Sequence, residues 1–135
     1  MSKSRHRTYC LDSWAVLRFF EGGSEAARRV RQVMRQGRPV MSWINVGEVY
    51  YTVLRAAGAA EADAKLGLLR PLVTVDSVTP DRVLDAARVK AGHPLAYADA
   101  FAIATAAAHE AVLLTGDPEI TGRRVGCRVE NLARR

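Results

Sequence analysis

Short apolar runs and longer amphipathic stretches alternate along the whole chain. Thr8 to Leu11 is a β-rich run that stops at Asp12. Ser13 can cap a helix through Trp14, Leu17, Phe19 and Phe20, which Gly22-Gly23 ends. Ser24 is positioned to cap a second helix, in which Ala27, Val30, Val33 and Met34 form an apolar stripe against an arginine-rich face. Pro39 to Ser42 reads as a short strand. A third helix is expected from about Ile44 to Ala57, with Gly58 as its cap, and a fourth from Ala59 to Leu69, closed by Pro71. Leu72 to Val75 is the next expected strand. Thr79-Pro80-Asp81 combines a cap residue, a proline suited to the first helical position and an acid, and starts a helix to about Ala91. Gly92-His93-Pro94 breaks it. Leu95 to His109 is an alanine-rich helix, Ala111 to Leu114 a buried type of strand, and a last strand is expected within Arg124 to Val129.

Strands that alternate with helices predict an α/β fold, a three-layer α/β/α sandwich with a mostly parallel central sheet. With 135 residues and no linker, repeat or low-complexity segment, the chain reads as a single domain over 1–135. No apolar run is long enough to span a bilayer, and Asp12 and Arg18 interrupt the run after the basic Met1 to Arg7 segment, which makes it a poor signal peptide. The expected location is cytoplasmic, without membrane contact. Cys10 and Cys127 form no C-x-x-C pair, so two reduced thiols packed in strands are expected rather than a disulfide or zinc site.

The net charge of +6 favours polyanionic partners. Arg28, Arg29, Arg31, Arg35 and Arg38 form one cluster, and Arg123, Arg124, Arg128, Arg134 and Arg135 another. Taken singly, each cluster reads as a solvated helix face or a tail. The apolar set Leu66, Leu69, Leu72, Tyr50, Tyr51 and Leu54 reads first as core, with a partner surface as the alternative.

Four carboxylates carry the chemistry. Asp12 and Asp117 follow apolar strand-like runs, where each alone can be a loop or turn residue. Glu48 lies among Trp43, Ile44, Val46, Val49, Tyr50 and Val53, and Asp99 in a helix with almost no polar face. A buried acid needs an arginine, a backbone cap or some other partner. Together the four belong near one edge: two at carboxyl ends of strands, two near starts of helices beside that edge. Such a cluster repels itself until a proton or a cation relieves it. Oxygen-only ligands favour Mg²⁺ or Mn²⁺ over zinc, and His6, His93 and His109 lack metal-ligand spacing. A site of this kind suits hydrolysis of a phosphodiester.

The motifs themselves resemble those of PIN domains. Tyr9-Cys10-Leu11-Asp12-Ser13 resembles the opening strand of that family, Ile44-Asn45-Val46-Gly47-Glu48-Val49-Tyr50-Tyr51 its second acidic motif, Leu95-Ala96-Tyr97-Ala98-Asp99-Ala100-Phe101 its third, and Leu113-Leu114-Thr115-Gly116-Asp117-Pro118-Glu119 its fourth. The order and spacing agree from end to end. The resemblance implies a Mg²⁺- or Mn²⁺-dependent ribonuclease whose acidic, metal-binding site is Asp12, Glu48, Asp99 and Asp117, with Ser13, Asn45 and Thr115 as supporting polar residues. Capping or turn bonding is the other reading of those three. The form of the chain looks most like VapC toxins, which implies a VapB-type antitoxin, an RNA substrate and a homodimer.

Two departures stand out: Trp14 where a small residue is common, and Ala96 where the third motif often has Ser. Glu119 reads as a spare acid near the site, with a peripheral or structural role rather than that of a metal ligand. Two rival readings remain. An acid-cluster phosphatase or phosphotransferase would use Asp12 as nucleophile, but haloacid-dehalogenase-type enzymes place a second Asp where Trp14 stands, and response regulators carry an acidic pair where Leu11-Asp12 offers one acid. A nucleic-acid- or protein-binding module with decayed chemistry would usually have lost an acid, and none is lost.

Overall fold

The computed structural model describes residues 7–134. His6, most of the basic N-terminal run and Arg135 lie outside the described residues. Five strands, β1 (Tyr9–Leu11), β2 (Val40–Ser42), β3 (Thr74–Asp76), β4 (Val112–Thr115) and β5 (Arg128–Asn131), form one sheet in the order β3-β2-β1-β4-β5. Every pairing is parallel. Among the described residues seven α-helices accompany them: α1 (Ser13–Glu21), α2 (Glu25–Gln36), α3 (Trp43–Ala57), α4 (Ala59–Leu69), α5 (Pro80–Gly92), α6 (Tyr97–Ala108) and α7 (Pro118–Thr121).

Side chains that alternate along a strand serve opposite layers. Leu11 and Leu114 pack with Val16, Val30, Val46 and Leu69 on the face covered by α1 to α4. Their neighbours Cys10 and Leu113 pack with Ile103 and Ile120 on the face covered by α6 and α7. Helix α5 lies outside α6 and meets it through Ala86, Ala100, Phe101 and Ala104. The alanine-rich composition of α6 is thus a packing device: Ala100, Ala102, Ala104 and Ala106 are all buried, and small side chains let sheet and α5 approach from both sides. The three-layer architecture and the parallel sheet agree with the expectation from the sequence. Among the described residues no helix is long and apolar enough to cross a membrane.

The expected boundaries hold for α2 and α5, whose caps lie where the sequence puts them. Ser24 Oγ accepts from Ala27 N–H (3.0 Å) and Thr79 Oγ1 from Arg82 N–H (3.1 Å). Other positions shift for local reasons. Asp12, not Ser13, caps α1, accepting from Ala15 N–H at 2.9 Å. A 3₁₀ turn (Arg70–Leu72) prolongs α4 and moves β3 to Thr74–Asp76. Leu95 is buried ahead of α6 with its carbonyl bound by Lys90 Nζ (2.7 Å), so that helix begins at Tyr97. Val125 fills the α6-side core and Gly126 turns with φ +87°, which delays β5 to Arg128. Cys10 lies in β1 as expected, whereas Cys127 precedes β5 instead of lying in a strand, and both thiols are free. Leu69 is buried and Leu66 and Leu72 pack against the core, while Tyr51 and Leu54 stay exposed.

Candidate active site

All four sequence-selected acids come to the carboxyl edge of the sheet. Asp12 follows β1 and is 3% exposed. One of its oxygens caps α1, and the other accepts a short hydrogen bond from the Thr115 hydroxyl at the end of β4. Thr115 Oγ1 in turn accepts from Asp117 N–H (3.0 Å), so one threonine ties the first acid to the fourth. Parallel pairing makes this possible: Leu11 is in register with Leu114, so the residues that follow them emerge side by side.

Glu48 stands one turn into α3. Its Oε1 accepts from Ser13 Oγ (2.9 Å) and from Asn45 Nδ2 (3.0 Å), and Asn45 Nδ2 also reaches the Ala98 carbonyl (3.1 Å). Asn45 therefore joins the starts of α3 and α6. Its buried Oδ1 has no partner among the described residues. Asp99 stands in the first turn of α6. Oxygen atoms of Asp99, Asp117 and Glu119 all lie within 4.8 Å of one another. Glu119, expected from the sequence as a spare acid near the site, thus lies beside two of its acids. The signal was present: Asp117-Pro118-Glu119 repeats the cap, proline and acid order of Thr79-Pro80-Asp81, and it does start a helix, α7, which the turn reading of Gly116-Asp117-Pro118 missed. Asp117 Oδ1 caps that helix at Glu119 N–H (2.9 Å).

The electrostatics follow from burial without a countercharge. Desolvation pushes the Asp12 carboxyl up to about 7; the Thr115 and Ala15 hydrogen bonds oppose this, and the charges of Asp117 and Glu48 add to it. Asp99 rises to about 8, from burial first, then the Asp117 charge, a hydrogen bond with Glu119, and the charges of Glu48 and Asp12. No arginine or lysine forms an ion pair with any of these acids among the described residues. Two arginines near the site in sequence have other partners. Arg18 lies over the Trp14 ring at 4.6 Å, and Arg123 Nε donates to the Glu119 carbonyl (2.7 Å). Trp14 packs so closely on Gly116 that a Cβ there would stand 2.4 Å from the indole. The unusual tryptophan and this glycine therefore shape the β4–α7 turn together.

The fold has clear counterparts. A VapBC complex bound to DNA from Salmonella typhimurium superposes with a TM-score of 0.75 at 16% identity, covering 94% of this chain and 99% of that one. VapBC-1 from nontypeable Haemophilus influenzae gives 0.72 at 21% identity, covering 93% and 98%. The Mycobacterium tuberculosis toxin VapC20, which cleaves the sarcin–ricin loop, gives 0.67 at 19% identity, covering 90% and 99%. No curated protein matches the sequence significantly. The family model described as PIN domain matches residues 9–124, from the first strand through the last helix, and the chain therefore belongs to the PIN domain family.

Proposed function

We propose that this protein is a VapC-type toxin, an endoribonuclease that depends on a divalent cation and is inhibited by a cognate VapB-type antitoxin. The observation that carries the reading is the convergence of five carboxylates on one strand edge with no basic side chain paired to them among the described residues. The antitoxin, a homodimer and a cytoplasmic location are part of the proposal; the fold likeness to VapBC complexes supports the first.

The donor set fits a hard cation. All candidate ligands are carboxylate oxygens, and His93 and His109 are not among them. Asp99, Asp117 and Glu119 are spaced to hold Mg²⁺ or Mn²⁺, with Asp12 and Glu48 completing the acidic site. When bound, the cation would lower the pKa of an attacking water and offset charge on the phosphoryl oxygens.

The chain's own groups have separable tasks in this reading. Ser13 and Asn45 hold the Glu48 carboxylate in one rotamer, so it can accept a proton from water at Oε2, which has no partner among the described residues. Thr115 holds Asp12 against Asp117. A phosphotransferase with Asp12 as nucleophile is disfavoured, because both Asp12 oxygens already accept hydrogen bonds and the side chain is buried.

The test is cleavage of total cellular RNA by purified, antitoxin-free protein in Mg²⁺ or Mn²⁺, with EDTA and Asp99→Asn as controls. Discrete fragments that vanish in both controls are expected. Well-folded protein that binds RNA but cuts none would instead support the binding-module reading.

A further inference from the structure

The tryptophan in the first turn of α1 is fitted against the turn that carries two of the acids. A Cβ on Gly116 would stand 2.4 Å from both Cη2 and Cζ2 of Trp14 and 2.7 Å from its Cε2. Among the described residues no other glycine would meet a neighbour under 3.0 Å. The φ of Gly116 lies outside the left-handed region that favours glycine, so the indole, not the backbone, excludes a side chain there. The ring is held in turn. Arg18, one turn along α1, lies over it at 4.6 Å from the ring centre and is paired with Glu21 at 3.0 Å. The ring also packs against the core cluster that contains Leu11, Val16 and Leu114.

The start of α1 and the β4–α7 turn therefore touch at two points. Asp12 accepts from the Thr115 hydroxyl, and Trp14 closes on Gly116. A single hydrogen bond is a pivot about which the following residues can swing. A second contact one residue further on removes that freedom. The residue that follows is Asp117, which caps α7 at Glu119 N–H and whose carboxylate lies within 4.8 Å of those of Asp99 and Glu119. We propose that Trp14 is a positioning residue for the acidic site: its ring fixes the turn at Gly116, and through it the spacing of Asp117 and Glu119 from Asp99 that a divalent cation requires. The inference rests on the cation reading of that site. Ligands keep a binding geometry only while the groups around them hold it, and loss of such support lowers metal affinity by about ten- to a hundredfold. A tryptophan that only filled space would support the core and leave cation affinity indifferent to its removal.

The test is a double-variant cycle on the full chain, read by calorimetric titration with Mn²⁺ and by melting in EDTA. Trp14→Ala is expected to weaken Mn²⁺ binding about tenfold, and Trp14→Phe, which keeps a ring, to recover most of it. Gly116→Ala is expected to weaken binding by a similar factor, because the new methyl drives the indole and the turn apart. In the Gly116→Ala, Trp14→Ala double variant the methyl has room, so the loss should stay about tenfold instead of the roughly hundredfold that independent effects would give. Independent, multiplying effects overturn the proposal. A lower melting temperature with Mn²⁺ affinity unchanged also overturns it, and leaves the ring a core filler. If Trp14→Ala does not fold, Trp14→Phe, Gly116→Ala and their combination carry the same comparison. Wild-type protein that binds no Mn²⁺ sinks the cation reading and this inference with it. Wild-type binding that neither Trp14 variant nor Gly116→Ala alters sinks this inference alone.

Discussion

Asp76 and Asp12 occupy comparable places and meet opposite fates. Each lies at the carboxyl end of a strand of the same sheet, and each side chain is at least nine-tenths buried. Asp76 is matched: Arg82 donates from Nε (2.8 Å) and Nη2 (3.2 Å), and His109 Nε2 lies 2.8 Å away. Burial alone would raise its pKa, but these partners hold it below the ordinary range. For Asp12 burial wins: its neutral donors only partly oppose it and the neighbouring acids add to it, so its pKa moves up to about 7. One carboxylate is a structural link between β3, α5 and the end of α6. The other belongs to a cluster whose charge the chain leaves unbalanced. Burial does not set the two acids apart; the missing countercharge does, and it is what marks Asp12 as a candidate functional acid.

That contrast can be broken from either side. Asp99→Asn should remove most cleavage, on the order of a thousandfold, because several kcal/mol of charge stabilisation depends on the acidic site. Its melting temperature in EDTA should be unchanged or higher, since a self-repelling charge is lost. A severe fall in stability would make Asp99 structural instead.

Arg82→Ala should do the reverse. It strips a buried carboxylate of its main partner and should cost about 3 kcal/mol in denaturant unfolding, with cleavage per folded molecule retained. Loss of activity in protein that remains folded would show that the two clusters are coupled.

Ser13→Ala and Glu119→Gln probe the finer arrangement. Removal of the Ser13 hydroxyl should lower the rate about tenfold, as for groups that orient a ligand. Glu119→Gln should weaken Mn²⁺ binding by a similar factor, measured by calorimetry. Unaltered affinity would return Glu119 to the peripheral role its sequence position suggested.

The smallest effect is on stability against pH without cation. Asp12 and Asp99 have folded pKa values above the unfolded value of 3.8. Between about pH 4 and 8 the folded state binds more protons than the unfolded one, so stability falls as pH rises through that window. Melting in EDTA should therefore drop by a few degrees from pH 5.5 to 8. The slope should flatten in an Asp12→Asn, Asp99→Asn double variant, and Mn²⁺ should restore the wild type at pH 8. Asp76 has the opposite sign: its depressed pKa contributes stability above the unfolded value that is lost in acid. A flat profile for the metal-free wild type would contradict the electrostatic account of the acidic edge.

The apolar periodicity, the cap and proline signals and the order of four acidic motifs are local properties. They determined the α/β class, nearly every element and the four acids of the candidate site, because spacing and propensity act within a few residues. Misplaced boundaries occur where a tertiary demand overrode them. Leu95 left the helix for the core, Val125 did the same ahead of β5, and the turn signal at Asp117 concealed a helix start. Partnership was decided only by the tertiary structure. In the sequence, Asp76 and Asp12 are both acids after apolar runs, and the arginines that could neutralise either are distributed along the whole chain. The parallel register that sets Leu11 beside Leu114, and the packing of α5 that brings Arg82 to Asp76, determine which carboxylate is neutralised and which is left without a countercharge. Thr115 meets Asp12 across 103 residues of chain and His109 meets Asp76 across 33, and such long-range pairing has no signature in local pattern.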